Sequence, residues 1–213
     1  MTQDAWTPDV AVRYPLITDL HLSPDGARVA YVVRGPVMTD DESKFVYHLY
    51  RAETATGAMV RLTYGQAANT MPRWSPDGRY LAFLSDRGGK ANLYVLRAAG
   101  GEAWALTALD EAVQSFAWSP DGRALAFTAP AAKSEEKKKA EKAKNDPILW
   151  HEDHVYSHLW AVPFVDDDAE RLQPRRLSAE RQHIIALDWA PDSTALAYTY
   201  QPTPLQDDWP QTT

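Results

Sequence analysis

Trp74-Ser75-Pro76-Asp77-Gly78-Arg79-Tyr80-Leu81-Ala82-Phe83 is the stretch that decides the fold of this 213-residue chain. Proline presets φ for the first corner of a turn, aspartate bonds back to nearby amides, and glycine takes positive φ without steric cost. Apolar runs on both sides make the segment a hairpin that joins two antiparallel strands. Three further segments align with it: Leu22-Ser23-Pro24-Asp25-Gly26-Ala27-Arg28-Val29-Ala30-Tyr31, Trp118-Ser119-Pro120-Asp121-Gly122-Arg123-Ala124-Leu125-Ala126-Phe127 and Trp189-Ala190-Pro191-Asp192-Ser193-Thr194-Ala195-Leu196-Ala197-Tyr198. Their prolines stand 52, 44 and 71 residues apart. The middle spacing is close to the ~40–45 residues of one four-stranded propeller blade, and the last contains a charged insertion. The fourth copy carries Ser193 where the others carry glycine. If the turn is kept, a left-handed serine there costs roughly 1 kcal/mol.

Two more strand-like stretches follow each of the first three hairpins. They are Val46–Tyr50 and Val60–Thr63 in the first repeat, Asn92–Leu96 and Trp104–Thr107 in the second, and His158–Val162 and Arg176–Ser178 in the third. Four short strands per unit, separated by turn residues, describe an all-β propeller; an ordinary β-sandwich with coincidental turns is the competing architecture. The expected boundaries are about 18–63 for blade 1, about 71–107 for blade 2 and about 113–178 for blade 3 with its charged insertion at 131–147. A partial blade 4 covers about 184–200, and the proline-rich stretch from Gln201 to Thr213 is poorly suited to supply two more strands. The expectation is therefore about three and a half blades of an incomplete ring. Propellers protect their edges by closing, with about four to eight blades. Either the chain is a fragment of a longer protein or partners complete it, and the fragment is the favoured reading.

Composition narrows the function classes. The apolar fraction of 45% supports a packed core, and proline plus glycine, 25 residues, is an ordinary turn-rich share. The formal charge of −7 disfavours nucleic acid or an anionic membrane as the main partner. The chain holds no cysteine, which excludes disulfides, a cysteine nucleophile and thiolate metal sites and fits a reducing compartment. Without a visible secretory signal in Met1–Trp6 or an apolar run long enough to span a bilayer, a soluble, cytoplasmic protein is expected.

The repeats, the opening Thr7-Pro8-Asp9-Val10 through Leu16-Ile17-Thr18-Asp19-Leu20-His21, and the Lys/Glu-rich insertion followed by Asn145-Asp146-Pro147-Ile148-Leu149-Trp150 and His158-Leu159-Trp160-Ala161-Val162 carry a family resemblance. Together they resemble the N-terminal propeller of the prolyl oligopeptidase superfamily of serine peptidases, in its acylaminoacyl- and dipeptidyl-peptidase branches. TolB-type propellers share the Trp-Ser-Pro-Asp-Gly hairpins. The resemblance implies a propeller, usually seven-bladed, that covers an α/β-hydrolase domain and restricts entry to short peptides. That catalytic domain is not expected within this chain. No Gly-x-Ser-x-Gly elbow occurs, and Ser23, Ser75 and Ser119 sit in hairpin turns. No catalytic, cofactor-binding or metal-ligating residue is therefore assigned. Short peptides are the expected substrates through the hydrolase domain, with a homo-oligomer possible. The rival function is a TolB-like interaction module without activity.

Other constellations have plain structural readings. His151-Glu152-Asp153-His154, with His158 beyond, lacks the His-Glu-x-x-His order of zinc peptidases, and on a strand His151 and His154 would face opposite sides. Glu135-Glu136 lacks the Asp-Trp-x-Tyr context that the paired glutamates of dipeptidyl peptidases have. Ser85-Asp86-Arg87-Gly88-Gly89-Lys90 lacks phosphate-loop spacing and reads as a blade loop. Trp74, Trp118 and Trp189 recur beside the turns and are expected to pack between blades. Lys133–Lys144 carries six lysines and three glutamates and favours a solvated helix, with Glu135–Lys139 and Glu141–Lys144 at pairing distance. Deleting Lys133–Lys144 is expected to leave folding intact; a large loss of soluble protein on expression would contradict that reading.

Overall fold

A computed structural model of the protein describes residues 13–38, 43–143, 154–166 and 172–204. The opening at 7–10, the stretches at 144–150 and 151–153, and the tail beyond 204, all discussed above, lie outside the described residues. The chain divides into two compact units, Met1–Gly89 with Leu93–Ala105, and Lys90–Asn92 with Leu106–Thr213.

The first unit holds two four-stranded antiparallel sheets, each in sequential order. One comprises β1 (Leu16–Leu22), β2 (Arg28–Met38), β3 (Ser43–Glu53) and β4 (Met59–Arg61). The other comprises β5 (Asn69–Trp74), β6 (Tyr80–Ser85), β7 (Asn92–Arg97) and β8 (Trp104–Ala105). The second unit repeats the pattern with β9 (Ser115–Trp118), β10 (Ala124–Pro130), β11 (Ser157–Pro163) and β12 (Arg175–Arg176), and adds a two-stranded sheet of β13 (His183–Trp189) and β14 (Leu196–Gln201). These are three complete blades and the first hairpin of a fourth, so the all-β propeller architecture expected from the repeats is the observed one. The insertion contributes helix α1, Glu135–Lys142, between β10 and β11.

In the second and third blades the second strand is the most buried. All six residues of β6, Tyr80-Leu81-Ala82-Phe83-Leu84-Ser85, are buried, as are Leu125 to Ala129 of β10. A continuous apolar run without alternation is what a strand covered on both faces requires. In the first unit Val32, Leu49, Phe83 and Leu96 form one core cluster, and Ala30, Trp74 and Leu81 a second. In the second unit Ala126, Leu159 and Ile184 form the core, against which Leu187, Trp189 and Leu196 pack. The small–large pair of β6 and β10 has its counterpart in Ala197-Tyr198, yet Tyr198 is 38% exposed where Phe83 and Phe127 are fully buried. Among the described residues the β13–β14 sheet has no third strand, so its face is less covered.

The strands show features that the repeat did not announce. Register shifts interrupt β1–β2 between Ile17 and Asp19, β5–β6 between Thr70 and Arg73, and β13–β14 between Ile184 and Ala186. In β5 the bulge holds Met71 at φ 53° and accommodates Pro72, which has no N–H to give a ladder. The charged helix opens on Ser134, whose hydroxyl accepts from the Lys137 amide at 3.2 Å. The helix pairs Glu135 with Lys138, at 3.1 Å, rather than with Lys139; the same ammonium lies 2.7 Å from Asp110. Exposed pairs of this kind stabilise little. Glu141 and Lys144 fall where side chains are not described.

Trp74 is buried, and its indole N–H donates to the His21 carbonyl at 3.1 Å while the Arg28 guanidinium lies 5.0 Å from its ring. Trp189 is half-buried and donates in the same way to the Ala117 carbonyl at 3.2 Å. His21 and Ala117 hold the same repeat position, so each indole reaches the inner strand of the preceding blade. Trp118 is half-buried too, set edge-on to Phe164 of its own blade with centroids 4.9 Å apart.

Within each unit the turns also touch from one blade to the next. A Cβ built on Gly78 would meet Pro24 at 3.7 Å. Ser193, at φ 62°, occupies the corresponding place in the fourth copy and accepts a hydrogen bond from the Asp121 amide at 3.0 Å. The left-handed conformation is thus kept despite the serine, and its hydroxyl offsets the strain with an added contact. We expect Ser193→Gly to be more stable than Ser193→Ala by roughly 1–2 kcal/mol, since both lose the hydroxyl and only alanine keeps the strain. Trp74→Ala is expected to cost about 3–5 kcal/mol. Urea unfolding of the variants measures both; a loss below ~1 kcal/mol at Trp74 would contradict its place in the core.

Candidate functional site

A serine peptidase needs a hydroxyl whose proton a neighbouring base can take, and the serines described here can be followed one by one. In the first three turns the serine hydroxyl donates to the aspartate two residues on: Ser23 to Asp25 at 2.5 Å, Ser75 to Asp77 and Ser119 to Asp121 at 2.6 Å. Each hydroxyl accepts in return from an amide five residues on, Arg28, Tyr80 and Ala124, at 2.9 Å. The aspartate oxygen also takes the amide four residues past the serine, at 3.0 Å.

These contacts hold the aspartates below the usual carboxylate range. At Asp25 and Asp121 the serine hydroxyl is the chief cause, followed by the backbone amide. At Asp77 partial burial pushes upward most strongly, but the hydroxyl of Ser75 and the amide of Arg79 outweigh it. A carboxylate made more acidic in this way is a poor base, so the arrangement fixes a turn and does not activate a nucleophile. The fourth copy has Ala190 in place of the serine. There Thr194 supplies the missing hydroxyl, donating to Asp192 at 2.8 Å while its amide donates at 3.0 Å.

One serine does meet an imidazole. Ser178 Oγ lies 3.3 Å from His158 Nδ1, and both residues are buried. The repeat explains the pair without chemistry. The sequences His48-Leu49, Asn92-Leu93 and His158-Leu159 lie on the third strands, and Thr63, Thr107 and Ser178 follow the fourth. The Thr63 hydroxyl accepts the Leu49 amide at 2.9 Å, and the Ser178 hydroxyl accepts the Leu159 amide at 3.0 Å. Thr107 donates to Asn92 at 2.8 Å, and that side chain also takes the Leu109 amide. A hydroxyl at this place therefore latches the outer strand to the third strand, blade after blade. Burial, first of all, lowers the affinity of both His48 and His158 for a proton, with Arg61 and Arg176 respectively acting in the same sense.

Two depressions among the described residues lie at blade ends opposite the Ser-Pro-Asp-Gly turns. In the first unit Tyr64-Gly65-Gln66-Ala67 and Asp86-Arg87 border an open depression. Arg87 is held there by Ser85 and Asn69, both at 3.0 Å, and lies against the rings of Phe83 and Tyr94. This confirms Ser85–Lys90 as a blade loop, between β6 and β7. In the second unit a cavity of about 190 Å³ is lined by residues that include Glu111, Lys133, Lys137, His154, Tyr156 and His158. It combines cations, a carboxylate, imidazoles and an aromatic ring. Among the described residues no three His, Asp or Glu side chains are grouped to hold a metal ion, and no helix is long and apolar enough to cross a membrane. His151, Glu152 and Asp153 lie outside the described residues, so the chelate considered above is not placed. The sequence reading missed the hydroxyl latch, although its signal is visible as a Thr or Ser after each fourth strand.

Comparison with known proteins agrees with this geometry. Over 92 residues, 43% of this chain, the sequence is 45% identical to the uncharacterized peptidase YuxL of Bacillus subtilis, and that match spans only 14% of the relative's length. The fold is shared with the acylaminoacyl peptidase of Pyrococcus horikoshii, at a TM-score of 0.61 and 15% identity, over 85% of this chain and 28% of the other. It is also shared with a TolB-like protein of Agrobacterium tumefaciens, at a TM-score of 0.50 and 21% identity, over 76% of this chain and 50% of the other. At such identities the two structures speak for the fold alone. The model of the TolB beta propeller domain matches residues 18–149, more than half of the sequence, and with the turns, blades and latches in place the chain belongs to the TolB beta propeller domain family.

Proposed function

We propose that this chain is the non-catalytic propeller portion of a serine peptidase that hydrolyses short peptides, of acylaminoacyl or dipeptidyl type, and that it limits which substrates reach a hydrolase domain carried elsewhere in the same protein. The observation that carries the reading is the 45% identity to a peptidase over a stretch that makes up only 14% of that relative. The hydroxyls of the three turns support it from the other side, because each is engaged in shaping a hairpin and its aspartate is too acidic to serve as a base. Work in a reducing compartment such as the cytoplasm suits a chain without cysteine.

A second reading is an interaction module of TolB type, without activity of its own. The matching family model favours it. A fluorophosphonate probe separates the two. The chain itself is expected to remain unlabelled, while a longer polypeptide that contains it is labelled on the serine of a Gly-x-Ser-x-Gly elbow and cleaves acylated or dipeptidyl chromogenic substrates. Labelling of this chain, or a longer reading frame without such an elbow, would overturn the peptidase reading.

A further inference from the structure

Two histidines join neighbouring sheets through the one ring nitrogen that must stay bare. In the first unit His21 of β1 accepts the Trp74 amide of β5 on Nδ1 at 3.1 Å. In the second unit His183 of β13 accepts the Ser157 amide of β11 on Nδ1 at 3.2 Å. Both donors belong to buried residues, Trp74 at 3% and Ser157 at 1% exposure. Each amide would be an orphan without its imidazole, and a buried unsatisfied N–H is costly. An imidazole that accepts on Nδ1 carries its single proton on Nε2; taking a second proton turns the acceptor into a donor that faces another donor. The two histidines are not repeat equivalents, since Ala117 holds in the third blade the place of His21.

We propose that these seams are acid-labile joints: protonation of His21 breaks the bond that holds the Trp74 amide of β5 to β1 in the first unit, and protonation of His183 breaks the bond that holds the Ser157 amide of β11 to β13 in the second.

The surroundings set the direction. Around His21 burial opposes the charged form most, Arg73 of β5 adds to that, and Asp19 of β1 pulls the other way. Asp19 is itself occupied by Arg73 at 3.0 Å, and Arg28 of β2 covers the Trp74 ring. Around His183 burial is the cause. His158 of β11 lies near enough to feel His183, with Arg176 and Glu180 behind it, and neutral Gln201 of β14 stands opposite in the ladder. Both histidines therefore bind a proton less readily folded than unfolded. Stability is full above the unfolded value near 6.5 and falls as the pH drops below it toward the folded values.

The test is amide hydrogen exchange on the full chain at pH 7.5 and 5.0, corrected for the intrinsic rate, with ¹⁵N chemical shifts reporting the histidine tautomers. At pH 7.5 both rings are expected as the Nε2–H tautomer. On acidification the Trp74 and Ser157 amides are expected to lose at least tenfold in protection, ahead of the strand centres. Asparagine offers a non-titrating acceptor near the Nδ1 position, so His21→Asn should abolish the pH response at Trp74 and leave that at Ser157, and His183→Asn should do the converse. Unchanged wild-type protection, an Nδ1–H tautomer, or an Asn variant that responds to pH as wild type does would overturn the proposal. If a variant fails to fold, the wild-type tautomer and its protection profile decide alone.

Discussion

A hydroxyl shared between a carboxylate and an amide five residues away is the contact on which the other features rest. It closes the Ser-Pro-Asp-Gly turn from inside, so the two strands leave the turn in one register. Register in a sheet decides which face every later side chain occupies. Fixing it at the turn places Trp74 toward the preceding strand, where its indole finds the His21 carbonyl. In the fourth copy, with Ala190 in the serine's place, Thr194 gives its hydroxyl to the same aspartate from the other side of the turn, so the carboxylate half of the contact is kept without the serine.

The same economy has a consequence for chemistry. Ser, Thr, His and Asp are the raw materials of hydrolytic catalysis, and this chain uses them in quantity as construction elements. The Ser178–His158 contact, seen alone, has two of the three partners of a triad. Set beside Thr63 with Leu49 and Thr107 with Asn92, it is one instance of a strand latch. Repetition within a single chain thus separates structural polar pairs from reactive ones, because a reactive pair has no reason to recur every blade.

The architecture was largely legible in the sequence because its signals are local. Pro, Asp and Gly define a turn over four residues, and Tyr80–Ser85 announces a doubly covered strand by its unbroken apolar run. The left-handed Ser193 was equally readable, since it stands where glycine stands in three other copies. What escaped is set by contacts distant along the chain. The bond from Trp74 to His21 spans 53 residues, and nothing near either residue marks it. The pairing of Lys138 with Asp110 depends in the same way on where the inserted helix lies against the loop before β9, a matter its own residues do not encode. The depressions at the blade ends are assembled from several loops, and composition says little about such places.

The tryptophan clasp binds a main-chain carbonyl, and every amino acid carries one. The residue that offers it is histidine in the seam of the first unit and alanine in that of the second. A duplicated blade can therefore dock on its neighbour at once, without a matched change on the other side, and its facing position is then free to drift. Growth by copying needs a joint of this undemanding kind, and the histidine at position 21 is an example of what such freedom allows a lineage to try.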